Sequence, residues 1–196
     1  MKPLHRILMA LGAVALLGLF FFPMWSITLE APQYPKGSEL GINIHINNVE
    51  GSRPNDLDNI NNLNHYIGMK RIEPDSIPEL KYMPMIVVVL VGLGLIVAAF
   101  GKRWMILVWL ALLTGAGTLG MYDFWLWEYD YGHNLDPHAI IKIEGMSYQP
   151  PLFGTEQLLN FTASSYPAIG FAFIALGGLL AVVAWWLSRQ TKTSHT

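Results

Sequence analysis

Apolar and polar positions alternate between two regimes along this chain: long apolar runs, and shorter stretches with a clear period. Four runs approach the roughly 20 residues that an α-helix needs to cross about 30 Å of hydrocarbon. They cover residues 7–25, 83–100, 104–122 and 167–187. Only 101–103, Gly-Lys-Arg, separates the second from the third, which predicts a tight helical hairpin. Two polar loops remain, 26–82 and 123–166. In the first, Trp25, Ile27 and Leu29 alternate with Ser26, Thr28 and Glu30, and Leu40, Ile42, Ile44 and Ile46 with Gly41, Asn43, His45 and Asn47. In the second, Ile141 and Ile143 alternate with Lys142 and Glu144. A period of two reads as strands with one polar face, and three short strands would form one sheet over the membrane helices. Between 54 and 69 the period becomes helical. Leu57, Ile60, Leu63 and Ile67 share one face, Asn55 or Asp56 is placed to cap the start, and Gly68 stands near the end.

The fold class expected is therefore an α-helical integral membrane protein. Four transmembrane helices carry a small extracytoplasmic α+β domain formed by the two loops. Orientation follows from the basic residues. Lys2 and Arg6 lie in 1–6, Lys102 and Arg103 in 101–103, and Arg189 and Lys192 in 188–196. By the positive-inside rule these three short segments are cytoplasmic, which predicts a multi-pass protein of the cytoplasmic (inner) membrane with both termini inside. The first run follows a basic start, as a signal peptide would. Phe20-Phe-Phe-Pro-Met-Trp25 offers no small-x-small cleavage site, so an uncleaved anchor is expected.

Composition narrows the chemistry. Of 196 residues 53% are apolar and only 13% charged, about half the charged share of a soluble domain. A net charge of −2 leaves no basic face for nucleic acid. There is no cysteine, which removes disulfides, thiolate metal sites and iron–sulfur clusters. No phosphate-binding glycine loop or nucleophile elbow is present, and the apolar runs lack the ionisable stations of an ion path. Glycines within the runs instead allow close helix packing, with Ala116 and Gly120, and Gly177 and Ala181, at small-xxx-small spacing.

The polar face of the 54–69 helix gathers Asp58, Asn61, Asn62, His65 and Met69, where lysine and glutamate would be the ordinary solvated choice. His65 and Met69 are four apart and can reach one point. Imidazole with thioether suits a soft ion such as Cu(I), and Met146 and His133 lie on the same side of the membrane as further ligands. The plainer alternative has His65 hydrogen-bonding a facing loop while Met69 packs. Trp125, Trp127 and Tyr129 read as an aromatic belt at the outer interface. The segment 145–154, rich in turn residues, fits a fixed contact surface.

Four strings resemble a known family: Phe22-Pro-Met-Trp25 with Thr28-Leu-Glu-Ala-Pro-Gln-Tyr-Pro35; Asn61-Asn-Leu-Asn-His-Tyr-Ile-Gly-Met69; Trp127-Glu-Tyr-Asp-Tyr-Gly-His-Asn-Leu-Asp-Pro137; and Gly145-Met-Ser-Tyr-Gln-Pro-Pro151 through Gln157-Leu-Leu-Asn-Phe161. They are similar to the NosB-like small membrane proteins, encoded beside nitrous oxide reductase of the Sec-exported type. The resemblance implies a non-enzymatic accessory role in the biogenesis or supply of that periplasmic copper enzyme. Its partners would be the lipid bilayer and other membrane or periplasmic accessory proteins of the nitrous oxide reductase system, not nucleic acid. Asn61, Asn64, Tyr66, Tyr131 and Asp136 are the partner contacts implied, and Cu(I) the ion that His65, Met69, Met146 and His133 would handle. The rival readings are a metal-free small subunit of a respiratory or transporter complex, and a membrane enzyme or electron carrier.

Overall fold

A computed structural model describes residues 4–30, 39–143 and 145–190. In chain order the elements are α1 (Leu4–Ala15), a 3-10 helix (Leu16–Phe20), β1 (Trp25–Glu30), β2 (Leu40–Ile44), β3 (Val49–Gly51), α2 (Asp56–Ile67), a 3-10 turn (Pro74–Ser76), α3 (Glu79–Phe100), α4 (Arg103–His133), β4 (Gly154–Leu158), β5 (Phe161–Pro167) and α5 (Ile169–Gln190). Three of the helices, α3, α4 and α5, are long and apolar enough to cross a membrane, and the protein is a mostly helical membrane protein with a small antiparallel sheet. The first apolar helix, Leu4–Phe20, is shorter.

The helices pack around Met9, Ala13, Leu16, Ile106, Trp109 and Ala181, all 0–1% exposed. Gly12 and Gly177 set the closest crossing. A Cβ on either would stand 2.8 Å from the other's carbonyl oxygen, so α1 and α5 meet backbone to backbone. Small residues permit that approach where lipid offers no hydrophobic drive between helices. The expected Gly177/Ala181 contact is thus present, whereas a Cβ at Gly120 would meet nothing within 4 Å. Trp109 donates its indole N–H to the Leu90 carbonyl at 2.8 Å, tying α4 to α3. Arginines collect at one end of the helices. Arg6 donates to the Phe100 carbonyl at 3.2 Å, and Arg103 and Arg189 stand over the Trp185 ring at 4.9 and 4.7 Å.

At the other end the sheet runs β3-β2-β1-β5-β4, every pair antiparallel. The central strand β1 places Trp25 opposite Ile44 on one side and Pro167 on the other. Ile27, Leu40, Ile42 and Val49 turn inward with Ile60 of α2 and Tyr131 of α4.

Several expected boundaries move. Residues 141–143 form no strand, despite the alternation of Ile141, Lys142 and Ile143; Glu144 lies outside the described residues. Alternation this short, set between Pro137 and Gly145, makes no ladder, and the Ile141 N–H donates instead to the Tyr66 carbonyl at 2.9 Å. The hairpin β4–β5 takes the place beside β1. Its buried positions are Ala163 and Ser165, too small or polar to register as apolar alternation. The first apolar run ends as a helix at Phe20, and Trp25 belongs to the sheet. Helix α3 starts at Glu79 rather than 83, and α5 at Ile169 rather than 167. Most consequential, α4 does not stop at 122 but continues to His133, since no proline interrupts 103–133.

Candidate functional site

Helix α2 lies across the sheet with its ends fastened. The Asp56 carboxylate accepts the backbone N–H groups of Gly41 and Arg53, both at 3.1 Å, so it joins the helix start to β2; neither Asn55 nor Asp56 makes the expected side-chain cap. Gly68, at φ +82°, closes the helix by donating its N–H to the Asn64 carbonyl. The next turn is covered by the second loop, where Asp136 N–H donates to the Gly68 carbonyl at 2.8 Å.

The unusual amide face has a structural use. Asn61 is buried and pairs with both backbone groups of Ile72, donating to its carbonyl at 3.1 Å and accepting its N–H at 2.7 Å. Asn64, also buried, donates to the Lys70 carbonyl at 3.2 Å. An extended segment buried beside a helix has no ladder partner, and a carboxamide presents the donor and acceptor it lacks. Tyr131 on α4 fixes the same segment by donating to the Arg71 carbonyl at 3.2 Å. Asn61, Asn64 and Tyr131 therefore act as largely buried internal braces. Tyr66 and Asp136 are exposed.

His65 and Met69 share a hollow of about 170 Å³ on the outer side of α2, with Asn61, Asn62 and Arg71. His65 is exposed and makes no side-chain hydrogen bond among the described residues, so the loop-bonding role is not what holds it. Met146 and His133 do not line the hollow. His133 ends α4, its ring stacked on Tyr129 at 4.0 Å with Nδ1 against the Tyr129 carbonyl at 3.1 Å. A carbonyl only accepts, so Nδ1 donates and Nε2 carries the lone pair. The structure thus brings together two of the four expected ligands, with a guanidinium at the wall that is paired to Asp58 at 3.3 Å and Glu73 at 3.8 Å. No group of three or more His, Asp or Glu is arranged to hold a metal among the described residues.

A second, larger chamber of about 340 Å³ lies on the inner side of α2. Its walls come from β1 and β2 (Ile27, Ile42), from α2 (Ile60, Leu63) and from the outward extension of α4. That extension presents two aromatic rows. Phe124, Trp127 and Tyr131 face inward, with ring centroids 6.2 and 4.4 Å apart, while Tyr122, Trp125, Tyr129 and His133 face outward. Between the rows sits Glu128, fully buried, its carboxyl oxygens without a hydrogen-bond partner among the described residues. Burial pushes its pKa up to about 8, so at neutral pH it is a carboxylic acid able to donate. Sequence reasoning passed over Glu128 because position 128 was assigned to an irregular loop. Continuing the helix through 122–133 exposes the signal, a lone acid between two aromatic rows.

No protein-family model matches the chain, and no curated protein matches it at a significant level.

Proposed function

We propose that the chain is a membrane-anchored accessory platform without catalytic activity of its own, serving the biogenesis or supply of a periplasmic copper enzyme of the nitrous oxide reductase system. The sequence resemblance points to that system. The observation that carries the platform reading is the continuity between sheet and helices. Pro167 ends β5 two residues before α5 begins at Ile169, and β1 starts five residues after the first helix ends at Phe20. Helix α4 runs 31 residues unbroken, about 46 Å, against roughly 30 Å of hydrocarbon. An outer domain attached in this way cannot swing, so it presents the exposed face of α2 at a fixed height. The topology proposed has four spans in the inner membrane with both termini cytoplasmic. Twelve α-helical and five 3-10 residues in Leu4–Phe20 give a rise of about 28 Å, close to the span required.

Within this proposal His65 and Met69 are the residues that would hold Cu(I), whose softness suits a thioether and an imidazole. Deleting the gene from a host respiring nitrous oxide, then measuring reductase activity and reductase copper content, tests the role; unchanged values for both refute it. Competition for Cu(I) against a chromogenic chelator tests the site, and equal binding by the wild type and the His65→Ala/Met69→Ala variant removes copper from the proposal. One observation favours the rival reading of a metal-free small subunit. Gly117 and Gly120, three apart on α4, each face open space with no neighbour within 4 Å, a strip on which another helix could pack. A stoichiometric membrane partner that co-purifies without copper would decide for it.

A further inference from the structure

The chamber beneath α2 has features that neither a packed core nor a docking platform requires. It is apolar on most sides, yet three polar side chains line it with buried atoms that have no hydrogen-bond partner among the described residues: Glu128 through both carboxyl oxygens, Tyr148, 3% exposed, through its hydroxyl, and Trp127 through its indole N–H. Native interiors rarely leave such groups unpaired, and three around one cavity point to a ligand. Elsewhere the same domain satisfies its buried polar groups closely, as Asp56, Asn61 and Asn64 show. The backbone also fixes where Tyr148 sits. A Cβ on Gly132 would lie 2.4 Å from the Gln149 nitrogen, so only glycine lets the 148–150 segment lie directly on α4, where the Tyr148 N–H donates to the Gly132 carbonyl at 3.0 Å. Tyr66 and Ile141 line the chamber and are 48% and 46% exposed, which places its mouth at the outer end of α2.

We infer that this chamber binds a lipophilic molecule of about a dozen heavy atoms, whose head carries an oxygen that accepts a hydrogen bond from the Glu128 carboxyl group. The size follows from volume: 340 Å³ is somewhat more than twice the roughly 150 Å³ apolar cavity that holds one benzene ring. The head follows from the lining. Among the described residues Glu128 is the only carboxyl, amine or imidazole group there; in its neutral form it offers one O–H, Tyr148 a second and the Trp127 indole an N–H. An ester or ketone oxygen satisfies them without bringing an uncompensated charge into apolar walls.

The test uses full-length protein in lipid nanodiscs and two probes, a diazirine-bearing methyl ester of about a dozen heavy atoms and the matching hydrocarbon without oxygen. After photolysis, cross-linked peptides are mapped by mass spectrometry. The ester is expected to label peptides of 57–72, 127–131 and 148–161 between about twofold and tenfold more than the hydrocarbon, the worth of one neutral hydrogen bond. Glu128→Leu should bring the two probes level by weakening the ester alone. Label confined to the lipid-facing sides of α3, α4 and α5, or equal labelling of the chamber by both probes in the wild type, overturns the inference. The wild-type comparison stands even if the leucine variant fails to fold. Organic extraction of unprobed protein adds a second readout: a stoichiometric ester or ketone of about that size supports the site, whereas a phospholipid as the bound species, too large and carrying a phosphate charge, counts against it.

Discussion

Glu128 makes the stability of the outer domain depend on pH in a direction opposite to that of an ordinary carboxylate. In the folded chain its pKa is about 8, against the usual 4.5. Below pH 4.5 folded and unfolded chains both hold the proton, and the group contributes no pH dependence. Between 4.5 and 8 the unfolded chain releases the proton while the folded chain keeps it, so stability falls as pH rises. Above 8 the folded chain ionises as well and the loss is complete. Each pH unit in the window costs about 1.4 kcal/mol, which sums to an upper bound on the order of 5 kcal/mol, since relaxation around a carboxylate reduces its penalty. About 4 kcal/mol of that bound falls between pH 5 and 8.5, so at roughly 2–4 °C per kcal/mol for a chain of this size the melting temperature should drop by at most about 8–16 °C over that interval.

Intrinsic tryptophan fluorescence in nanodiscs reads the transition. Among the described residues the other ionisable groups lining the chamber are the phenols Tyr66, Tyr131 and Tyr148. Two acids nearby act in a different range. Asp130 is held low by hydrogen bonds from Lys70 and Asn134, and Asp136 by the His138 N–H. Their contributions are lost as pH falls through the acid range, below the Glu128 window. Glu128→Gln removes the titration and keeps the shape, so its melting temperature should change far less over the same interval. If wild type and Glu128→Gln lose stability in parallel from pH 5 to 8.5, Glu128 is not the buried neutral acid described above.

Two further perturbations follow from the same packing. Gly132→Ala forces a methyl group against the Gln149 backbone and should cost about 1–3 kcal/mol, whereas Gly120→Ala, with open space around it, should be neutral or gain up to about 1 kcal/mol in helix propensity; thermal melts of the two variants side by side check the contrast. Asn61→Ala strips both backbone groups of buried Ile72 of their partners, a loss of about 2–4 kcal/mol, and hydrogen exchange should show 70–73 opening before the sheet does.

How much of this was legible beforehand depended on whether one residue's neighbours in sequence were also its neighbours in space. The apolar runs, β1, β2 and α2 announced themselves because each buries a face against many partners at a fixed period. The hairpin β4–β5 did not, because its inward residues Ala163 and Ser165 face close-packed β1, where a small side chain is required and hydropathy is uninformative. The amide face of α2 was visible as unusual, but its cause was not. Asn61 answers to Ile72, eleven residues away, and Tyr131 to Arg71, sixty away. The chamber was invisible for a related reason: its lining is assembled from both loops and from a helix extension that composition assigned to the aqueous side.

Met69 belongs to both hollows, bordering the polar one with His65 and the apolar one with Trp127 and Glu128. It is therefore the residue at which a copper role and a lipophile role can be separated. Met69→Leu conserves volume and apolar surface, at a cost under about 1.5 kcal/mol, and removes only the sulfur. The wall of the chamber survives that change, so labelling by the ester probe should stay within twofold of wild type. A copper site does not survive it, because imidazole alone remains, and Cu(I) affinity by chelator competition should fall at least tenfold. Met69→Ala differs in kind: it removes the wall as well as the sulfur, and both readouts should move. Unchanged Cu(I) competition in Met69→Leu would remove Met69 as a copper ligand and with it the paired site. Lost ester labelling in the same variant would mean that the sulfur, rather than the Glu128 carboxyl, is what the lipophile meets.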